Sequence, residues 1–122
     1  MTRAVRGAIQ IITNEKRTVH EASLRLVREI LSQNKIRRED IVSIVFSLTA
    51  DLDAGNPATG IRENGFEETP LFCVQEARVE GGMPRIIRAL VTYNGGFGRR
   101  GKAVYLEGAQ ALRPDIASRR ST

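Results

Sequence analysis

"LFCVQEARVEGGMPRIIRALV", residues 71–91, holds two short apolar runs separated by a carboxylate and a Gly-Gly turn. Short runs of Val, Ile, Leu and Phe bounded by turn residues read as strands. The first predicts a strand over "TPLFCVQE", residues 69–76, and the second over "RIIRALVTY", residues 85–93. In the second, Ile87, Ala89, Val91 and Tyr93 fall on one face and Arg88, Leu90 and Thr92 on the other. Glu76 therefore closes one strand, and Arg88 sits inside the next. Arginine is almost never buried without a partner. Arg88 must point at solvent, at an acid such as Glu76, or at a ligand.

Upstream, "RAVRGAIQI" (residues 3–11) predicts a first strand in which Val5, Gly7, Ile9 and Ile11 alternate with Arg6, Ala8 and Gln10. Gly7 in mid-strand suggests a bulge or a close backbone approach. "TVHE" offers a capping box, Thr18 as N-cap and Glu21 at N3, for a helix over about 19–33 with its apolar stripe at Val19, Ala22, Leu26, Val27, Ile30 and Leu31. His20, in the first turn, reads as a solvated helix residue. A strand is expected over 43–49. Asn56-Pro57 then looks like an N-cap followed by proline at N1, opening a short helix from Pro57 to Asn64 that stops at Gly65. "NGGFGRRGK" (94–102) reads as a flexible basic loop without a phosphate-cradling pattern, and "AVYLEGA" (103–109) as a fifth strand followed by a turn or short helix near "QALRPDI". The order β-α-β-α-β-β-β predicts an α+β fold, a mixed sheet covered by helices on one face. A single domain over 1–115 with a disordered tail at 116–122 is expected.

Length and composition narrow the function. A chain of 122 residues has room for one core. No apolar run approaches the roughly 20 residues of a membrane span. "MTRAVRGAIQ" lacks an apolar signal segment, and the single cysteine, Cys73, cannot form an internal disulfide, so a cytoplasmic location is expected. One cysteine and one histidine also leave no Cys/His metal cluster within the chain, and neither metal nor cofactor is expected. The formal charge of +5 suggests an anionic partner, either nucleic acid or a small carboxylate. Aromatics at 5% supply little stacking surface for single strands, which weighs against nucleic acid.

Three arginines stand out: Arg6 and Arg88 in strands, and Arg62 on the short helix. A strand arginine can equally lie on a solvated face or pair with Glu76, and a helix arginine is usually solvated. Cys73 reads as a small buried hydrophobe, with no histidine nearby in sequence to activate it. A carboxylate beside guanidinium groups is suited to accepting hydrogen bonds rather than abstracting protons. Several guanidinium groups, a carboxylate and a tyrosine describe a site for a compact polyanion, working by electrostatics and conformational restraint.

At this point the chain resembles the AroH-class monofunctional chorismate mutases, enzymes of the shikimate pathway to the aromatic amino acids that convert chorismate to prephenate. The resemblance rests on "VRGA" (5–8), "TADLDAGNPA" (49–58), "PLFCVQE" (70–76), "GGMPRIIR" (81–88), "VYLEGA" (104–109) and "LRPD" (112–115), in that order and spacing. It implies a homotrimer with a barrel-like core of packed sheets, helices outside and active sites at the subunit interfaces. It also implies residue roles. Arg88 matches the arginine at the ether oxygen of the breaking bond, Arg6 the arginine that clamps a substrate carboxylate, and Glu76 the acceptor of the ring hydroxyl's hydrogen bond. Cys73 matches a cysteine in contact with that same region, and Tyr105 a tyrosine that reaches a carboxylate. Arg62 matches an arginine contributed by the neighbouring subunit. Phe72, Leu112 and Arg113 match peripheral contacts, the last two in a C-terminal segment that orders over the site.

Two positions depart from the family's pattern. Asn56 stands where an aromatic residue is common, and Thr59 where a lysine is common. Both belong to the outer, ring-facing side of the implied site and bear on substrate preference. The loop at 94–101 differs as well. The alternatives are a related trimeric enzyme, such as an imine deaminase or a mutase for a modified chorismate, and a basic nucleic-acid or regulatory binding module. The deaminases place their arginine-cysteine-glutamate pattern near the C-terminus, whereas Cys73 lies in mid-chain.

Overall fold

The computed structural model describes residues 1–95 and 101–115. Five strands, β1 (Thr2–Gln10), β2 (Ile41–Leu48), β3 (Leu71–Gln75), β4 (Ile86–Asn94) and β5 (Val104–Leu106), form one mixed sheet in the order β3-β2-β4-β1-β5. β4 is the central strand and runs antiparallel to both β1 and β2. The edge strands run parallel to their neighbours, β3 to β2 and β5 to β1. β3 and β4 are consecutive in sequence but separated in the sheet by β2, so the segment with Gly81 and Gly82 is a crossing connection and not a hairpin turn. Most of the "NGGFGRRGK" loop and the expected tail at 116–122 lie outside the described residues.

Helices α1 (Lys16–Asn34) and α2 (Pro57–Arg62) cover one face of the sheet. The stripe Val19, Leu26, Val27 and Ile30 of α1 meets Val5, Ile9, Ile44, Phe46, Ile87, Ala89 and Val91 of the sheet, all buried. Each of these Val, Leu, Ile and Phe side chains contributes about 1.5–3 kcal/mol when taken out of water. The expected alternation in β4 holds through Ile87, Ala89, Val91 and Tyr93.

The start of α1 departs from the expected capping box. The N-cap is Glu15, in extended conformation and without a side-chain cap, so the helix begins three residues earlier than Thr18 would dictate. The two residues of the apparent box are engaged elsewhere. The Thr18 hydroxyl meets that of Thr13 at 3.2 Å, and Glu21 accepts from Arg17 Nε at 2.8 Å, one turn back along the helix.

α2 forms as its sequence predicts: Asn56 Oδ1 accepts from the Ala58 N–H at 2.8 Å, and Pro57 occupies the first turn. It ends at Arg62, short of Asn64, whose side-chain amide folds back to donate to Gly60 O at 2.9 Å. Gly65 then takes the left-handed conformation, φ 97°. α2 lies directly on α1, because Gly60 presents no side chain to it. A Cβ on Gly60 would stand 2.8 Å from His20 Cα and 2.9 Å from His20 Cβ. His20 is accordingly half-buried under α2 and not solvated, and its Nε2 has no hydrogen-bond partner among the described residues. Gly60→Ala is expected to destabilise the fold by about 1–3 kcal/mol, because the new methyl meets helix backbone that cannot step aside. Thermal unfolding of the variant checks this, and an unchanged Tm would mean that α2 shifts freely.

The entry to β4 is fixed by a polar clasp. Thr49 Oγ1 donates to Asp51 Oδ1 at 2.5 Å and accepts from the Ile86 N–H at 3.0 Å. Asp51 Oδ2 accepts from the Arg85 N–H at 3.0 Å. The Thr49 hydroxyl, with smaller help from the Arg85 backbone, holds the Asp51 carboxyl below the usual carboxylate range. The clasp secures Arg85 at φ 53°, the left-handed turn from which β4 departs, and so sets the register that carries Arg88.

Candidate active site

The sheet face opposite α1 and α2 carries the polar residues. Strand pairing aligns Tyr105 of β5, Ala8 of β1, Arg88 of β4, Ser47 of β2 and Val74 of β3 in one row. The next row holds Arg6, Leu90, Val45 and Phe72. Directly paired residues point to the same side of a sheet, so Arg6, Arg88, Ser47 and Tyr105 share this face. They line a cavity of ≈ 220 Å³ together with Leu90. On the opposite face Gly7 lets β1 lie close under α1: a Cβ there would stand 2.8 Å from Ile30 Cδ1 and 2.9 Å from Val104 O.

Glu76 follows β3, its N–H still bonded to Leu48 O at 2.7 Å. Its carboxylate reaches the same row. Arg88 Nε donates to Glu76 Oε1 at 2.5 Å, and Ser47 Oγ to the same oxygen at 3.4 Å. The partner that the sequence allowed for Arg88 is thus real, and the pair stands half-buried at the cavity wall, with the Arg88 side chain 41% and the Glu76 side chain 23% exposed. Among the described residues Glu76 is the only recorded side-chain partner of Arg88. Strand alternation alone puts Ala8 on the polar face beside Arg6. It is fully buried, packed with Ile86, Tyr105 and Ala109 in a second, smaller apolar cluster.

That second cluster seats the C-terminal segment. After β5 a 3-10 helix, Glu107–Leu112, crosses this end of the sheet, and Leu112 packs against the cluster that contains Tyr105. Arg113 donates through Nε and Nη2 to the two Asp115 carboxylate oxygens, each at 3.2 Å. These bonds raise its pKa, with a lesser contribution from Tyr105 nearby.

Two implied site residues, Cys73 and Arg62, lie elsewhere. Cys73 is aligned with Phe46, Ala89, Gly7 and Val104, the row that faces the helices. It packs against the main core, and burial pushes its thiol pKa up. β-strand alternation thus turns the Cys73 side chain away from Arg88 and Glu76 within one chain. Arg62 is exposed in the last turn of α2, in the helix layer, and is not brought to Arg88 within one chain. Phe72 is on the Arg88 face at the edge strand, 65% exposed. Ser47 was not singled out by sequence, since a serine in an apolar strand carries no pattern of its own; only the pairing of β2 with β4 puts it beside Arg88. Among the described residues no group of three His, Cys, Asp or Glu side chains could hold a metal ion. None of the described helices is long and apolar enough to cross a membrane.

Comparison with known proteins gives a consistent result. A family model described as chorismate mutase type I matches residues 2–116. The chain is 35% identical over 120 residues to a chorismate mutase AroH of Thermus thermophilus, covering 97% of this chain and 98% of that protein. It is 32% identical over 124 residues to a chorismate mutase AroH of Bacillus subtilis, covering 100% and 98%. A solved structure of a chorismate mutase from Clostridium thermocellum superposes with a TM-score of 0.86 at 34% identity, covering 89% of this chain and 98% of that one.

Proposed function

Since this chain belongs to the chorismate mutase type I family, we propose that it rearranges chorismate to prephenate with Arg88, Glu76 and Arg6 at the substrate. The activity is that of an isomerase, chorismate mutase. The observation that carries the residue assignment is the shared face. Arg6, Arg88 and Tyr105 line one cavity, and Glu76 is joined to Arg88 at its wall.

The rearrangement is unimolecular. In its transition state the breaking C–O bond leaves negative charge on the ether oxygen. A guanidinium held at that oxygen stabilises the transition state more than the ground state, which is the requirement for catalysis. Arg88 has that task. Arg6, with its planar fork, clamps a substrate carboxylate, and Tyr105 reaches a carboxylate from β5. Glu76 accepts the ring hydroxyl's hydrogen bond. Together they hold the substrate in the conformation that reacts. Leu112 and Arg113 border the site from the C-terminal segment.

The active unit is a homotrimer in which each site lies between two subunits. Two features support this. The cavity of one chain, ≈ 220 Å³, is smaller than the about 300–1,000 Å³ of an ordinary ligand pocket. The same sheet face leaves Phe72, Leu90 and Val74 between 41% and 65% exposed, apolar surface that a second subunit would cover. Arg62 then completes the site across the interface, Phe72 supplies a peripheral contact, and Asn56 at the N-cap of α2 and Thr59 within it shape the outer, ring-facing side. A cytoplasmic location belongs to the same proposal, supported by a lone thiol that suits a reducing compartment.

Adding purified protein to chorismate is expected to abolish the chorismate absorbance. The kcat so measured is expected to stay nearly flat from about pH 6 to 9, because no proton moves in the chemical step. The Cys73 thiol, pushed up by burial, stays neutral as neutral pH is crossed and adds no step there. A bell-shaped profile with two pKa values in that window would point to acid–base chemistry and against this mechanism. A salt-dependent mobility shift with DNA or RNA and no loss of chorismate would favour a binding module instead.

A further inference from the structure

β2 sets Ser47 directly opposite Arg88, half-buried on the cavity wall. Its hydroxyl and Arg88 Nε converge on one atom, Glu76 Oε1, at 3.4 and 2.5 Å. Glu76 Oε2 accepts no hydrogen bond from any described side chain. The carboxylate is therefore held by one oxygen and offers the other.

We propose that Ser47 is a positioning residue for the reaction: it pins Glu76 by Oε1, so that Oε2 is presented to the ring hydroxyl of the substrate. The inference deepens the proposed function and rests on the role given there to Glu76. Its physical basis is that Arg88 has two tasks. It holds Glu76, and it must meet the ether oxygen. An arriving dianion draws the guanidinium towards its own charge, and a carboxylate tethered to Arg88 alone would be drawn along or released. A hydroxyl on the short side chain of a paired strand does not move with Arg88. It keeps one charged oxygen fixed while the arginine turns to the substrate.

The test compares the wild-type enzyme, Ser47→Ala, Glu76→Gln and the double variant. Each is assayed with chorismate and with an analogue whose ring hydroxyl is replaced by hydrogen. Loss of a hydrogen bond to a positioned carboxylate is expected to raise KM for chorismate about 3–10-fold in Ser47→Ala, with a smaller change in kcat. Kinetics with the hydrogen analogue should be unchanged by Ser47→Ala, and Ser47→Ala should add nothing in the Glu76→Gln background. If Glu76→Gln narrows the preference for chorismate over the analogue but Ser47→Ala affects both substrates equally, or neither, the role of Ser47 is overturned and that of Glu76 stands. An equal loss on both substrates accompanied by a lower Tm marks a merely structural serine and overturns the proposal too. If Glu76→Gln leaves the preference unchanged, the reading of Glu76 itself fails, and the proposal for Ser47 with it.

Discussion

Arg88→Lys is expected to lose on the order of 10²–10³ in kcat, the scale of removing a donor aimed at developing negative charge. The positive charge survives the substitution; the geometry does not. Arg88 gives its Nε to Glu76 Oε1 at 2.5 Å, which leaves the two terminal amino groups of the fork for the substrate. A lysine ends in one compact ammonium on a flexible stem. It must either stay with Glu76 or follow the ether oxygen, and each choice abandons one partner. Steady-state kinetics with chorismate decide the matter. The loss should fall mainly on kcat, because the interaction removed grows in the transition state. A lysine variant with near wild-type kcat would remove Arg88 from the ether oxygen and leave its ion pair with Glu76 as a structural feature.

The elements were legible in the sequence because their periodicity was clean. The alternation of Ile87, Ala89, Val91 and Tyr93 defines β4, and Asn56-Pro57 opens α2, both local signals that the structure reproduces. The α1 capping box failed because a four-residue pattern does not reveal which partners its side chains find. Thr13 and Arg17 claim Thr18 and Glu21 first. His20 is half-buried for a non-local reason: the glycine that lets α2 settle on it, Gly60, lies forty residues further along the chain.

The site shows the same division. The pairing of Arg88 with Glu76 could be raised from one stretch of sequence, but it could not be told from solvation until β2 was placed between β3 and β4. That arrangement is also what brings Ser47 into the row. Cys73 shows how the facing of a residue escapes a motif. "LFCVQE" carries Cys73 and Glu76 three residues apart, and an odd spacing on a strand sends the two to opposite faces. Ala8 was buried for a reason no alternation contains, since the 3-10 helix after β5 covers its end of the polar face.

Arg62→Ala and Arg88→Ala, each nearly inactive by itself, are expected to restore activity to one another when refolded together. The motive is the position of Arg62. It is exposed on α2, in the layer opposite the face that carries Arg88, so within one chain it serves no site there. In the proposed trimer each site takes Arg88 from one subunit and Arg62 from the next. A trimer that contains both variants then pairs an intact Arg88 with an intact Arg62 at a single interface. Random reassembly of an equal mixture makes about three-quarters of the trimers mixed, so roughly a quarter of all sites regain both arginines. Co-refolded protein should recover about that share of wild-type activity, and protein mixed without dissociation should recover none. The two arms separate complementation from slow exchange or contamination by wild type. If mixed trimers form, as shown by a mass tag on one variant, and remain as inactive as their parents, Arg62 and Arg88 do not meet across subunits, and the interface site is wrong for this chain.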